Sequence, residues 1–285
     1  MSGRWIGEVG SSNTARTVAS VDPMAHELVV VGGGNMGAAL LGGMLSSGVV
    51  TAAEVAVVEP IPGRRTQLSE MFPGVAVVDA VPPCRSAVVA VKPPDVPDVV
   101  GAAVAAGATR VLSIAAGVTT ATLRAAAGDG VAVVRSMPNT PALVGAGVSA
   151  IAGGEGATED DLAWAERILA GVGLVVRVSE SQLDAVTGLT GSGPAYVFLI
   201  AEALMDAGVA SGLPRVAAEQ MVTQLLVGSA KLLAERGDPA ALRAMVTSPG
   251  GTTAAGVGVL EERAVRAALI GAVRAATDRS RELGA

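Results

Sequence analysis

The chain has 285 residues, of which 51% are hydrophobic and 16% are charged. This composition is typical of a folded protein with a large core and, at this length, of one or two domains. Its 20 basic and 26 acidic residues give a net charge of -6 without any run of Lys or Arg, which argues against nucleic acid as the main partner. Aromatic residues make up 2% of the chain, too few for a platform that stacks single-stranded bases.

Histidine and cysteine each occur once, as His26 and Cys84. They cannot supply a Cys/His metal site, a disulfide, or the usual Ser-His or Cys-His nucleophile pair. We therefore expect no metal, and we expect a cofactor or the substrate to bring the reactive chemistry. A single Cys without a secretory signal predicts a protein of the reducing cytoplasm.

Residues 1–25 mix Gly, Ser, Thr and Arg without hydrophobic periodicity. This predicts a disordered extension and makes Met24 an alternative start. From Glu27 onward, short Val-rich runs alternate with longer Ala/Leu-rich segments. The runs cover residues 28–31, 55–58, 75–78, 87–91, 111–114 and 131–134. This alternation predicts an α/β fold of the Rossmann type, with a parallel sheet covered on both faces. Two later runs, 148–152 and 174–178, flank a helix predicted over 159–170 and extend the same sheet.

The stretch from residue 28 to 53 carries no charged side chain, as a membrane span would. Several glycines interrupt it, however. A buried strand, a turn and a helix explain this pattern better than a bilayer does, and no membrane is expected as a partner.

After Ser179 the pattern becomes helical, from Leu183 to Leu283, with breaks at the Gly/Pro clusters 212–214, 237–239 and 249–251. We therefore predict an α/β domain over residues 26–180 and an all-helical domain over 181–285. About a hundred residues of helices rich in Ala, Gly and Ser rarely close a core of their own. The sequence thus predicts a homodimer through the second domain.

Gly32, Gly34 and Gly37 form the pattern G-x-G-x-x-G between the first predicted strand and a helix, with Asn35 and Met36 between the last two glycines. In a dinucleotide-binding turn the first glycine permits the tight turn, the second lets the pyrophosphate approach, and the third allows close helix–strand packing. In a chain with 37 glycines the alternative is a plain strand-to-helix turn. The strand, turn, helix and second strand around the pattern favour the cofactor, so the 26–180 domain is predicted to bind a dinucleotide.

Glu59 ends the second predicted strand, where a carboxylate usually binds the adenosine ribose and repels a 2′-phosphate. That position favours NADH. Arg64 and Arg65 follow closely, however, and a guanidinium there would bind the 2′-phosphate of NADPH. The sequence leaves this choice open. It also leaves open that Glu59 is a solvated strand end and that the arginines merely begin a helix.

Two turns follow later strands, where the ligand crevice of an open α/β sheet lies. Val91, Lys92 and Pro93 end the fourth strand, although the prolines there would also simply start a helix. Asn139 lies in the turn after the sixth strand. Residues 136–154 carry no charge, which is unusual for an exposed loop and predicts that they line a site.

Segments 187–194 and 248–253 combine glycine with hydroxyl residues. In the second, a Pro is followed by bare backbone amides between two helical stretches, which suits a carboxylate held at a helix N-terminus. The alternative is a helix–helix turn capped by Ser or Thr.

These motifs together resemble the pyrroline-5-carboxylate reductase family. The segments that carry the resemblance, in chain order, are residues 32–37, 91–93, 135–141, 184–196 and 246–261. The match runs from about residue 27 to 283, and its most specific part is the segment that begins at Val246. The resemblance implies reduction of 1-pyrroline-5-carboxylate to L-proline by NADPH or NADH, the last step of proline biosynthesis. It also implies an intertwined homodimer of the helical domain, with a larger assembly of dimers left open.

The resemblance further assigns the site residues. The cofactor would contact Gly32, Gly34, Asn35, Met36, Gly37, Glu59, Arg64, Val91, Lys92, Pro93 and Asn139. The substrate carboxylate would be held by Ser248, Gly250, Gly251 and Thr252, close to the subunit interface. Ser248 and Thr253 would be the catalytic residues, with Thr253 hydrogen-bonded to the ring nitrogen. Asp79 departs from the family, since it stands where an Asn often contacts the adenosine ribose.

The residue inventory agrees with imine reduction, because an imine nitrogen can carry its own proton and needs no His or Cys. Two other functions stay open. A 3-hydroxyacid dehydrogenase shares the layout but uses a Lys followed by an Asn one turn later, and Lys231, the one lysine of the second domain, lacks that Asn. A dinucleotide-sensing protein without turnover is the other.

Overall fold

The computed structural model describes residues 26–284, so the disordered extension predicted over 1–25 lies outside the described residues. Eight strands form one sheet of order β3-β2-β1-β4-β5-β6-β7-β8. The strands are β1 (Leu28–Val31), β2 (Val55–Val58), β3 (Ala76–Val78), β4 (Ser86–Val89), β5 (Arg110–Ser113), β6 (Ala132–Met137), β7 (Gly147–Gly153) and β8 (Gly173–Arg177). All eight predicted runs are strands, and the Rossmann-type sheet is confirmed.

All neighbouring strands pair in parallel except β6 and β7, which are antiparallel with Met137 opposite Ala150. Because β8 is parallel to β7, the last two strands both run opposite to β1–β6. The predicted parallel sheet is confirmed for every other neighbouring pair, and the β6–β7 pair is the exception. The chain between the two strands contains only a 3-10 turn, Thr140–Val144. A parallel crossover needs a longer connection, usually with a helix, so the chain has to return antiparallel.

Five helices cover the sheet: α1 (Asn35–Ser46), α2 (Pro62–Met71), α3 (Val96–Ala105), α4 (Thr120–Ala127) and α5 (Glu159–Ala170). Alternate residues of each strand point to opposite faces. Leu28 and Val30 of β1 pack in a buried cluster with α1 and α5, whereas Val31 packs in a second cluster with α3 and α4. Both faces are therefore covered, and the uncharged stretch after residue 28 forms β1 and α1 as predicted.

The rest of the chain is helical. It begins with a 3-10 turn (Glu180–Gln182), the short helix α6 (Leu183–Val186) and a π-helix (Thr187–Gly191). The helices that follow are α7 (Gly193–Ala210), α8 (Arg215–Arg236), α9 (Pro239–Met245), α10 (Thr252–Glu262) and α11 (Val265–Gly284). The three predicted Gly/Pro breaks separate α7 from α8, α8 from α9, and α9 from α10. No strand occurs between residues 178 and 284.

The chain divides into two compact units, one of which is Ser192–Ala276. This division lies after the boundary expected at residue 180, because the intervening segment packs on the sheet. Leu183 is buried with Ala150 and Ala152 of β7. The end of α11, from Thr277, also belongs to the first unit, where Ser280 donates a hydrogen bond to Asp184 at 2.7 Å.

One helical run, Glu180–Ala210, is long and apolar enough to cross a membrane by length and composition, and 6% of its apolar window is buried. It is not one regular helix, since it contains the π-helix and the Gly-Ser-Gly-Pro sequence of residues 191–194. Large apolar side chains on α7, among them Phe198 and Leu199, are exposed.

Candidate functional site

The glycine turn joins β1 to α1 and leaves bare backbone at the helix N-terminus. Gly32 adopts a φ of +107°, and a Cβ there would collide with the carbonyl oxygen of Ala90. A Cβ on Gly37 would collide with the carbonyl oxygen of Gly32, so the third glycine lets α1 pack on the turn. Gly34 precedes α1 as N-cap without any side-chain capping bond, and a Cβ on it would meet nothing within 4 Å. The turn therefore offers uncapped amides and open space, as a pyrophosphate requires.

Glu59 at the end of β2 has a role that the sequence analysis did not predict. Its side chain is buried, and its carboxylate accepts hydrogen bonds from the amide of Gly33 at 3.2 Å and from the amide of Ile61 at 3.0 Å. The carboxylate thus joins the glycine turn to the loop after β2. The buried position overturns the alternative of a solvated strand end.

The two arginines of α2 differ in their surroundings. Arg64 donates from Nε to the carbonyl oxygen of Gly33 at 2.8 Å, which holds its guanidinium beside the glycine turn. Arg65 donates to the carbonyl oxygens of Glu59 and Pro60, both at 3.0 Å, and its Nη2 lies 3.9 Å from Asp79. Arg64 is therefore the arginine placed next to the proposed phosphate site, whereas Arg65 stabilises the loop after β2.

The turn after β4 lies beside the glycine turn. Because β1 pairs with both β2 and β4, the strand order reverses at β1, where ligands of such sheets bind. The space next to Gly32 is bounded by Ala90 and Val91. Lys92 is exposed, and Pro93 begins a 3-10 turn that leads into α3. The structure thus brings the 91–93 turn together with the glycine turn.

A cavity of about 500 Å³ lies along α1. Asn35 and Arg64 line one part of it, and the small residues of α1 line much of the rest. Gly32, Gly34 and Val91 do not line it, so this cavity is not the crevice at the strand ends.

Asn139 lies after β6 and is 9% exposed. Its Oδ1 accepts a hydrogen bond from the amide of Val148 at 2.9 Å, and its Nδ2 donates to the carbonyl oxygen of Thr190 at 3.1 Å. The side chain therefore connects β7 to the π-helix. Neither this connection nor the π-helix was predicted, because no local pattern around Asn139 or Thr190 indicates that they meet.

A partly buried ion pair joins β6 to the segment that follows β8. Arg135 of β6 donates to Glu180 at 3.2 Å, and Glu180 also accepts hydrogen bonds from the amide and hydroxyl of Thr120 at the start of α4. Burial raises the pKa of the Glu180 carboxyl, but the bonds from Thr120 and Arg135 outweigh it and hold that pKa below its usual value. The sequence analysis does not predict this pair, although Arg135, a charged residue directly after an apolar run, is a local sign that a buried partner is needed.

The proposed substrate segment lies in the helical unit. Gly250 has a φ of +70°, and the amide of Gly251 donates to the carbonyl oxygen of Ser248 at 3.0 Å. Gly251 is the N-cap of α10 and makes no side-chain capping bond. A Cβ on Gly251 would collide with the Ser248 hydroxyl. Thr252 and Thr253 therefore begin a helix, as predicted, and no Ser or Thr side chain caps it. The amide of Gly251 is not free, however, because it is bonded within the turn.

His26 and Cys84 lie away from these segments. The amide of His26 donates to the carbonyl oxygen of Pro83 at 2.9 Å, before β1 begins, so His26 lies at the end of the strand opposite Gly32. Cys84 is buried, and burial raises the pKa of its thiol to about 11. Neither residue is placed to take part in chemistry at the strand ends.

Two family models match the chain. Residues 180–283 match the model described as pyrroline-5-carboxylate reductase dimerisation. Residues 27–117 match the model described as NADP oxidoreductase coenzyme F420-dependent. The first covers the helical part and the second covers the glycine turn and the strands around it.

Several curated proteins named pyrroline-5-carboxylate reductase are similar to this chain along most of its length. A pyrroline-5-carboxylate reductase of Synechocystis is 45% identical over 267 residues, with 92% of this chain and 99% of the relative covered. One from Mycobacterium leprae is 42% identical over 90% of this chain and 96% of its own length. One from Escherichia coli is 38% identical over 91% of this chain and 99% of its own length.

Solved structures of pyrroline-5-carboxylate reductases are similar to this chain in fold as well as in sequence. A pyrroline-5-carboxylate reductase from Coxiella burnetii superposes with a TM-score of 0.84 at 34% identity, covering 92% of this chain and 99% of that one. The Plasmodium falciparum pyrroline carboxylate reductase with NADP bound gives a TM-score of 0.79 at 27% identity, with the same coverage of both chains. A Rossmann sheet with an uncapped glycine turn, a helical part that matches the dimerisation model and relatives along nearly the whole chain together show that this chain belongs to the pyrroline-5-carboxylate reductase family.

Proposed function

We propose that the protein reduces the C=N bond of 1-pyrroline-5-carboxylate to give L-proline, the last step of proline biosynthesis, with NADPH or NADH as the hydride donor. One observation carries the proposal. The chain combines a glycine turn on a Rossmann sheet, at a helix N-terminus without a side-chain cap, with the Ser-Pro-Gly-Gly-Thr-Thr segment of residues 248–253. In that segment Gly251 is the N-cap of α10, which also has no side-chain cap. The first suits a dinucleotide and the second suits a small carboxylate.

The residues around the glycine turn fit a dinucleotide. Gly32, Gly34 and Gly37 leave the space, and the amides of Asn35 and Met36 at the start of α1 would bind the pyrophosphate. Arg64 would add a positive charge beside it. The turn formed by Val91, Lys92 and Pro93 would bound the other side of the crevice. When bound, NADPH or NADH supplies the hydride.

Glu59 and Arg64 act together in the cofactor cradle, which consists of the glycine turn 32–37 and the turn 91–93 beside it. Glu59 accepts from the amide of Gly33 and Arg64 donates to its carbonyl oxygen, so the two side chains fix the peptide groups on either side of the Gly33 Cα. A preformed turn does not have to be ordered when the ligand binds, which favours affinity. The same two residues would set the preference between NADH and NADPH, because one is an anion and the other a cation.

The segment 248–253 would bind the substrate. The amides of Gly250 and Thr252 and the hydroxyl of Ser248 would hold the substrate carboxylate at the N-terminus of α10, where the helix dipole favours an anion. The amide of Gly251, also expected there from the resemblance, instead donates to the carbonyl oxygen of Ser248. The Thr253 hydroxyl would hydrogen-bond the ring nitrogen. These two contacts would fix the orientation of the bound imine, and orientation of the reactants contributes much of an enzyme's rate enhancement.

The proton requires no tuned acid from the protein. Between residues 247 and 254 there is no ionisable side chain, and His26 lies at the far end of β1. If the imine arrives protonated, Thr253 has only to hold its N–H, and the hydroxyl orients rather than titrates.

The protein would act as a cytoplasmic homodimer through residues 181–285, with the dinucleotide bound by residues 26–180. Exposed apolar side chains on α7, α8 and α11, including Phe198, Met221 and Ile270, support a subunit contact. Assembly of dimers into a larger oligomer stays a proposal that light scattering addresses.

The test is a direct assay. Purified protein is mixed with 1-pyrroline-5-carboxylate and either NADPH or NADH, and the absorbance of the reduced nicotinamide is followed. We expect loss of absorbance that depends on substrate, with L-proline as product. Turnover of a 3-hydroxyacid instead would indicate a dehydrogenase, and dinucleotide binding without turnover of either substrate would indicate a sensor.

A further inference from the structure

The side chain of Asn139 connects two segments that are distant in the sequence. Its oxygen faces the amide of Val148 in β7 at 2.9 Å, and its nitrogen faces the carbonyl oxygen of Thr190 at 3.1 Å. An amide donor on one side and a carbonyl acceptor on the other fix the orientation of the carboxamide. Since the residue is 9% exposed, water has little access to replace either bond.

The partner of Asn139 is the π-helix Thr187–Gly191. Such helices are rare and occur mostly as single turns, often at functional sites. The hydroxyls of Thr187 and Thr190 donate to carbonyl oxygens four residues earlier, at 2.9 Å and 3.1 Å, while the carbonyl of Thr190 is held by Asn139. Gly191 lies against Met137, because a Cβ on Gly191 would lie 2.7 Å from the Met137 Cε. The end of β6 thus supports the π-helix at two points.

The support lies at the carboxyl end of a parallel strand. Met137 ends β6, as Val31 ends β1 before the glycine turn and Val89 ends β4 before the 91–93 turn. In an open α/β sheet these ends share one edge, where the ligand binds. The π-helix is therefore held at the edge that carries the proposed cofactor cradle.

We infer that Asn139 is a positioning residue: it fixes the π-helix Thr187–Gly191 at the ligand edge, and its side chain does not bind the cofactor. This replaces the direct cofactor contact expected for Asn139 from the family resemblance. The inference rests on the proposed function for its kinetic consequence, but the contact itself is tested without turnover.

Two variants separate the two bonds. Asn139→Asp keeps an acceptor for the amide of Val148 and places a second oxygen against the carbonyl of Thr190, so it breaks the bond to the π-helix alone. Asn139→Ala removes both bonds. Thr158→Ala is the matched control, because it removes the capping box at the start of α5, a polar interaction elsewhere in the same unit.

The first readout is hydrogen–deuterium exchange in the full-length protein. We expect the amides of residues 187–191 to exchange faster in both Asn139 variants and to be unchanged in Thr158→Ala. The second readout is calorimetric affinity for NADP+ or NAD+, whichever wild type binds more tightly, and we expect it to stay within about twofold because the side chain makes no cofactor contact. Loss of dinucleotide affinity with unchanged exchange over 187–191 would overturn the inference.

Kinetics gives the third readout. In the Asn139 variants we expect kcat to fall about 10- to 100-fold, as for a small misplacement of a reacting group, with the KM for the dinucleotide unchanged. An equal fall of kcat in Thr158→Ala would show a general loss of stability and overturn the positioning role. If wild type does not turn over 1-pyrroline-5-carboxylate, the proposed function fails, while the exchange and affinity results still decide what Asn139 holds.

Discussion

The carboxylate of Glu59 accepts a hydrogen bond from the backbone amide of Gly33, so the end of β2 is joined directly to the glycine turn after β1. The amide of Ile61 donates to the other carboxylate oxygen, and Glu59 is 6% exposed. We expect Glu59→Ala to lower the free energy of unfolding by roughly 1–3 kcal/mol, because two amides in a site of low water access lose their acceptor. Urea denaturation measures this, and calorimetry should show weaker dinucleotide binding.

Glu54 provides the control for Glu59. It also accepts a hydrogen bond from a backbone amide, that of Thr51 at 2.8 Å, but the pair is exposed. Water replaces that acceptor in Glu54→Ala, so we expect a change of less than about 0.5 kcal/mol and no change in dinucleotide affinity. Equal losses in the two variants would contradict the importance of the buried position of Glu59.

Gly34 and Gly37 should respond differently to substitution. A Cβ at Gly34 meets no atom within 4 Å beyond its chain neighbours. We therefore expect Gly34→Val to fold and to lose binding of both dinucleotides, since its side chain would occupy the pyrophosphate space. A side chain at Gly37 collides with the carbonyl of Gly32, so Gly37→Val should lose thermal stability as well. Calorimetry together with thermal unfolding separates the two effects. Wild-type affinity in Gly34→Val would remove the proposed site.

Thr253 should contribute one neutral hydrogen bond to the substrate. We expect Thr253→Ala to lower kcat/KM roughly 5- to 150-fold, equivalent to about 1 to 3 kcal/mol, and Thr253→Ser to retain most activity. Steady-state kinetics across pH measures both. Wild-type kinetics in Thr253→Ala would mean that the substrate binds elsewhere, and a much larger loss with a displaced pH profile would mean that the hydroxyl transfers a proton.

His26 is the control for the origin of the proton. Because it lies before β1 and away from the strand ends, His26→Ala should leave the pH dependence of kcat/KM as in wild type. A displaced profile in this variant would contradict a reaction without a histidine acid.

The exposed apolar side chains of α7 should lie in a subunit contact. Phe198 is 62% exposed, and an unpaired charge buried in an interface is costly. We expect Phe198→Arg to shift the protein toward monomer in light scattering and to lower its activity at assay dilution. Leu174→Arg is the control, since Leu174 is 65% exposed on β8 of the other unit. A fully active wild-type monomer would contradict the proposed dimer.

The ion pair of Glu180 and Arg135 should make stability depend on pH in the acid range. The pKa of Glu180 is lowered below 4.5 in the folded protein, so the folded state binds its proton less readily than the unfolded state does. Its contribution is present above the unfolded pKa and is lost as pH falls through the folded pKa. We expect Glu180→Gln to be less stable at neutral pH and to lose less stability on acidification. Urea midpoints between pH 7 and pH 3 test this, and parallel curves would contradict it.

The sequence by itself determined the strands, the glycine turn and the helix breaks. Strands β1 and β2 have the bounds predicted from their Val runs, and α5 begins and ends as predicted. These features depend on local properties: the branching of Val, the φ that Gly32 adopts, and the prolines and glycines that end helices. Each is set within a few residues and can be predicted from a short window.

Only the tertiary structure decided which side chains hold the site. The bond between Gly33 and Glu59 spans 26 residues, that between Arg135 and Glu180 spans 45, and that between Asn139 and Thr190 spans 51. The direction of β7 belongs with them, because it depends on the strand that β7 meets. A buried polar group must find a partner, but the residue's own neighbours in the sequence do not determine which one. The partner is determined by the fold, because the fold brings strand ends from distant parts of the chain to one edge of the sheet.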